Sequence, residues 1–75
     1  MIFEIKTLTG RKFNLSTDDY KTFDDVKIAI QEREGVDKSQ IRLINGGKLI
    51  NNENVCDIIN KQNIVIYMIL ALRGG

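Results

Sequence analysis

Proline is absent from this chain of 75 residues, and so are histidine and tryptophan; cysteine occurs once. Each gap closes off a class of explanation. One cysteine cannot make an intrachain disulfide, so the fold has to be held by packing. Without histidine, the usual metal and acid–base inventory is missing and nothing stands ready to activate a nucleophile. No metal, no cofactor and no enzymatic role is therefore expected. Cys56 reads instead as a small, partly buried thiol beside Val55, compatible with a reducing cytoplasm or nucleus.

An excess of charge of one sign is lacking too. Eleven Lys and Arg face ten Asp and Glu for a net charge of +1, and the signs are interspersed. That pattern marks neither a nucleic-acid stripe nor a polybasic anchor. The longest apolar run, Ile64 to Leu70, falls far short of the ~20 residues that span a bilayer. The N-terminal stretch does not read as a secretory leader. Neither nucleic acid nor membrane is an expected partner. A chain of this length makes one domain that buries roughly 60–65% of its unfolded surface, which leaves no room for a deep cleft.

What is present is patterning. Met1-Ile2-Phe3-Glu4-Ile5-Lys6 alternates, with Met1, Phe3 and Ile5 on one side and Glu4 and Lys6 on the other, the period of a half-buried strand. Thr7-Leu8-Thr9-Gly10 is a turn, and Phe13 and Leu15 carry the same face back along a second strand. Thr22 begins a helix, with Asp25 three residues on as a variant capping box and Asp24 and Asp25 at the positive end of its dipole. Phe23, Val26 and Ile30 recur at helical spacing, and Gly35 is a natural residue to end the helix.

Gln40 to Asn45 reads as a third strand, closed by an Asn45-Gly46-Gly47 turn, and Lys48 to Ile50 as a short fourth. Asn51 to Asn63 reads as polar loop with an apolar clip of Val55, Ile58 and Ile59. Ile64 to Leu70 is the last strand. The order predicts an α+β fold, a mixed sheet of about five strands wrapped on one helix.

One helix covers one face of a sheet. Alternation points Ile66 and Met68 at that helix and turns Val65, Tyr67 and Ile69 away from it. On the third strand Ile41 and Leu43 go inward while Arg42 and Ile44 go outward. The outer face then carries Ile44, Tyr67 and Ile69, with Leu8 leaning over from the hairpin loop and Lys6, Arg42 and Lys48 as a basic rim. Scattered apolar residues on a surface are ordinary. A contiguous patch marks an interaction surface, and no second helix is on hand to hide this one.

The sequence closes on Ala71-Leu72-Arg73-Gly74-Gly75. These residues extend to roughly 16 Å beyond the last strand at ~3.3 Å per residue. Two glycines give a carboxylate with no bulk beside it, suited to a narrow channel, and Leu72 and Arg73 offer an apolar anchor and a charge. The division expected is a domain over residues 1–70 and a flexible tail over 71–75.

Taken in order, Lys6-Thr7-Leu8-Thr9-Gly10, Val26 to Gly35, Arg42-Leu43-Ile44, Gly47-Lys48 and the closing Leu72-Arg73-Gly74-Gly75 resemble the ubiquitin family over the whole chain. The alignment lacks one residue between Lys48 and Val55. The resemblance implies the β-grasp fold and a protein modifier joined to targets through its terminal carboxylate. In that family an activating enzyme adenylates the final glycine, here Gly75. The acyl group then passes to enzyme cysteines as a thioester, and to a target lysine as an isopeptide. The implied partners are activating, conjugating and ligase enzymes, deconjugating proteases, ubiquitin-like-binding domains and target proteins, with the modifier itself a monomer.

Within the family, the residue before Leu72 is arginine in ubiquitin and characteristically alanine in the Rub or neddylation modifiers. Ala71 and Glu32 resemble the Rub type, whose targets are the cullin subunits of ubiquitin ligases; Gln31 resembles ubiquitin. A divergent ubiquitin, a binding domain that is never conjugated and a sulfur carrier are the alternatives. Lys6, Lys27 and Lys48 match lysines of ubiquitin, while Arg11, Ala29, Arg33 and Gln62 stand where it has others. Lys48 is the candidate acceptor, since arginine stays protonated and cannot take an acyl group. Tyr67 replaces a histidine of the family's patch, which removes a pH switch near neutrality. The missing prolines leave the unfolded chain freer by up to ~1 kcal/mol at each compatible position, so lower stability than ubiquitin is expected.

Overall fold

A computed structural model of the protein describes residues 1–71. The expectations for Leu72, Arg73, Gly74 and Gly75 lie outside these residues. Strands β1 (Ile2–Thr7) and β2 (Lys12–Ser16) form the opening hairpin, in the register Phe3 with Leu15 and Ile5 with Phe13. Its loop is tied at the root. The Thr7 N–H donates to Arg11 O at 2.9 Å, the Gly10 N–H to Thr7 O at 3.2 Å and the Arg11 N–H to Thr7 Oγ1 at 3.1 Å.

Helix α1 (Phe23–Glu34) starts at the predicted capping box. The Asp25 N–H donates to Thr22 Oγ1 at 3.4 Å, and the Thr22 N–H donates back to Asp25 Oδ2 at 3.2 Å. Two otherwise orphaned donors are satisfied reciprocally, which fixes where the helix begins. It ends at Gly35, whose φ of 70° is the left-handed conformation that a side chain would strain. Phe23, Val26 and Ile30 form its buried stripe.

Strands β3 (Ile41–Asn45) and β4 (Lys48–Ile50) follow, and β5 (Val65–Leu70) closes the sheet. The strand order is β2-β1-β5-β3-β4, with β5 parallel to β1 and antiparallel to β3. One main helix lies against one face of this mixed sheet. This is the ubiquitin-like β-grasp architecture, as the sequence predicts. The core joins Phe3, Ile5, Phe23, Val26, Leu43 and Ile66, among others. Phe3 meets Phe23 edge to face at 6.4 Å between ring centroids, a favoured aromatic geometry.

Four local features depart from the reading of the sequence, the simplest being that the last strand starts at Val65 and not at Ile64. A 3-10 turn (Lys38–Gln40) leads into β3, which therefore starts at Ile41. The Asp37 carboxylate caps that turn, accepting from the Ser39 N–H at 3.0 Å. Inside the predicted loop, Val55–Ile58 is a one-turn helix, α2. Its Val55 and the following Ile59 are buried four residues apart, on the side a helical turn presents to the core. The same geometry turns Cys56 outward. The thiol is exposed, not partly buried as expected. Finally, Met1 precedes the first strand and stands exposed, outside the core face that alternation assigns to it.

Candidate docking surface

Strand pairing builds the outer face row by row. Ile44 is the partner of Tyr67 on β5 and of Leu49 on β4, while Tyr67 is the partner of Lys6 on β1. Lys6, Tyr67, Ile44 and Leu49 thus form one row across four strands. The next row pairs Arg42 with Ile69. Tyr67 is 50% and Leu49 52% exposed, and Ile44 and Ile69 are half-buried beside them. The predicted residues are brought together on the side of the sheet away from α1. Leu49 is the member the sequence reading missed. The two-residue turn at Gly46 and Gly47 was its signal, because that loop length sets Ile44 opposite Leu49.

Leu8 is 79% exposed at the hairpin tip. It lines an apolar groove of about 280 Å³ with Met68 and Leu70, closed by Thr7, Thr9, Arg11 and Glu34. Met68 and Leu70 belong to the α1 side of β5, so the groove that Leu8 lines opens on that side, away from the row of Ile44 and Tyr67 over which Leu8 is expected to lean. The basic rim is uneven. The Arg42 guanidinium donates through Nη1 to Ser39 O at 2.8 Å, which ties it to the 3-10 turn. Lys6 is half-buried. Lys48 is exposed at the start of β4 and pairs with Asn45, so the pleat sets it on the side opposite Leu49.

Arg11 and Arg33 have positions of their own. Arg11 Nη1 pairs with Glu34 Oε1 at 2.8 Å. The Arg11 guanidinium carbon lies 5.9 Å from the centroid of Phe13, and that of Arg33 lies 5.4 Å from it. Both cations are within range to interact with the ring, bridging β2 to α1. Planar guanidinium suits this stacking better than an ammonium. Asp37, by contrast, is shifted electrostatically. Its hydrogen bonds from the Ser39 main chain and side chain, with Lys38 beside it, hold its carboxyl below the ordinary 3.8.

At the exit of the sheet, the Ala71 N–H donates to Gln40 O at 2.7 Å, so the β3–β5 ladder runs one residue past Leu70. Among the described residues, no group of three His, Cys, Asp or Glu side chains is placed to hold a metal ion, and no helix is long and apolar enough to cross a membrane.

The ubiquitin family model matches residues 3–72. The chain belongs to the ubiquitin family. It is similar to the ubiquitin-like protein NEDD8 of Dictyostelium discoideum, 34% identical over 76 residues that cover 100% of this chain and 99% of the relative. The ubiquitin-like protein 1 of Schizosaccharomyces pombe is 36% identical over 76 residues, covering 100% of this chain and 97% of the relative. The NEDD8-like protein RUB1 of Saccharomyces cerevisiae is 34% identical, with 100% and 99% covered. The family's proteins are modifiers and not enzymes.

Proposed function

We propose that this member of the ubiquitin family is a conjugated modifier of the NEDD8/Rub type, with Gly75 as its acyl donor. The observation that carries the reading is full-length similarity to proteins named for NEDD8 and RUB1, combined with Ala71 directly before Leu72-Arg73-Gly74-Gly75. In the proposed cycle the Gly75 carboxylate attacks the α-phosphorus of ATP and displaces pyrophosphate. An enzyme thiolate then displaces AMP to form the thioester, and a target lysine amine displaces the thiol. The modifier supplies the carboxylate and the recognition surface, and the partner enzymes supply the catalysis.

Residues 1–70 act as the domain and 71–75 as the arm that enzymes grip. Alanine at 71 carries no cation that needs an acidic partner, so an activating enzyme built to exclude arginine admits it. Ile44, Leu49, Tyr67 and Ile69 form the surface for enzymes and for ubiquitin-like-binding domains, with Arg42 at its border and Leu8 at the neighbouring hairpin tip. Cullin-type subunits of ubiquitin ligases are the proposed targets, in the cytoplasm and nucleus, and Lys48 the proposed acceptor wherever chains form.

The test is competition of the chain between a NEDD8-type and a ubiquitin-type activating enzyme, scored as thioester on each. The expected result is ATP-dependent, thiol-sensitive loading on the NEDD8-type enzyme, abolished when the Gly75 carboxylate is blocked. Ala71→Arg should move loading toward the ubiquitin-type enzyme. Loading of the blocked chain would refute conjugation through Gly75. An Ala71→Arg exchange without effect would refute the Rub-type assignment.

A further inference from the structure

The turn between β3 and β4 carries the chain's one Asn-Gly pair, Asn45-Gly46. In such a pair the glycine nitrogen attacks the asparagine Cγ and expels ammonia, leaving a five-membered succinimide. Water then opens the ring at either carbonyl to give aspartate or isoaspartate. Water is the only co-reactant, and the net change is amide plus water to carboxylate plus ammonium. A glycine makes this reaction easy because its nitrogen is unshielded and its backbone is free to rotate. Gly46 fits the steric part of that description. A Cβ built on it would meet nothing within 4 Å.

The other reactant is held. Asn45 Nδ2 donates to Asn63 Oδ1 at 2.8 Å and lies 3.5 Å from Val65 O. Asn63 Nδ2 donates back to Asn45 Oδ1 at 3.0 Å and to Ile58 O at 2.9 Å. The two carboxamides form a reciprocal pair, half-buried, and Asn63 is itself fixed by main-chain bonds with Asn60 at 2.9 and 3.2 Å. Attack by Gly46 N makes the planar Asn45 carboxamide tetrahedral and expels its nitrogen, so the contacts of Nδ2 with Asn63 Oδ1 and Val65 O have to be given up.

We propose that Asn45 is a latent deamidation site, kept unreacted by the Asn63 carboxamide, and that opening of this amide clasp commits it to aspartate and isoaspartate. Either product damages the clasp, because a carboxylate accepts but does not donate and would face Asn63 Oδ1. Isoaspartate does more. It adds a main-chain carbon before a two-residue turn, whose length sets the register of Leu49 against Ile44. The modification would therefore reach the docking row from a residue outside it.

The experiment incubates the full chain in mildly alkaline buffer and follows Asn45, Asn51 and Asn60 by peptide mass mapping, with isoaspartate resolved chromatographically. Native protein should deamidate at Asn45 at least about tenfold more slowly than the same chain in denaturing urea, because reaction waits on local opening. Asn63→Ala should raise the native rate at Asn45 and leave Asn51 and Asn60 unchanged, which separates loss of the clasp from general unfolding. Should that variant unfold, Asn63→Ser takes its place, keeping a hydroxyl toward Ile58 O while freeing Asn45. Equal Asn45 rates in native and urea-unfolded protein would overturn the proposal. So would a folded Asn63 variant whose Asn45 reacts at the original rate.

Discussion

Along β5, Ile66 and Met68 are buried while Tyr67 between them is half exposed, and β3 repeats the contrast with Leu43 inside and Ile44 at the surface. The residues compared are neighbours in sequence, and Leu43 and Ile44 are closely matched in hydrophobicity. What separates them is that α1 and α2 cover one side of the sheet and, among the described residues, nothing covers the other. Apolar side chains on the covered side contribute to folding. Those on the open side leave apolar area in water, and a partner that dries it recovers that area as binding free energy.

Substitutions along one strand sharpen this contrast most. Ile66→Ala is expected to cost about 2–5 kcal/mol of folding free energy in urea titration, because a fully buried side chain leaves a cavity behind. Tyr67→Ala, one residue on, is expected to change stability by less than about 1 kcal/mol while abolishing much of the binding to a ubiquitin-like-binding domain. Equal stability losses at the two sites would erase the difference between the faces.

The next effect concerns the layer that does the covering. Thr22→Ala removes the acceptor for the Asp25 N–H and half of the capping box, for a loss of about 1 kcal/mol in the same titration. Binding by the open face should be unaltered.

The third prediction depends on pH. The hydrogen bonds from Ser39 lower the Asp37 carboxyl below 3.8 in the folded chain. A lowered native value means that the unfolded state takes up the proton first, so the contribution is complete above 3.8 and fades as pH falls through the native value. An NMR titration should find the Asp37 midpoint below 3.8, and Asp37→Asn should flatten the acid limb of the stability curve. A midpoint at or above 3.8 would contradict the capping geometry. The smallest effect is at Cys56. Its exposed thiol should react with a thiol reagent in the native state, with no measurable change in thermal midpoint.

Local signals made most of the fold readable. Thr22 with Asp25, Gly35, and the alternation of Phe3, Ile5, Phe13 and Leu15 each specify their own element within a few residues. The two-faced sheet followed because the same alternation assigns Ile44 and Tyr67 to the side that a single helix leaves bare. α2 escaped because one turn is too short to display a helical period, so Val55 and Ile59 read as a clip and Cys56 was sent the wrong way. Leu49 needed a register that pairs it with Ile44, which single-strand patterns do not contain. The pairing of Asn45 with Asn63 joins residues 18 apart that carry no mutual signal in the sequence.

The neighbourhood of β1 and β5 has a mechanical consequence. The two strands lie side by side and parallel, one next to Met1 and the other next to Ala71. A force pulling these two ends apart slides one strand along the other, so that the rungs between them share the load and must fail together. A force that grips the exit of β5 and the β3–β4 hairpin instead meets a different set of rungs in a different orientation. How hard the protein is to unravel therefore depends on where it is held as well as on how stable it is.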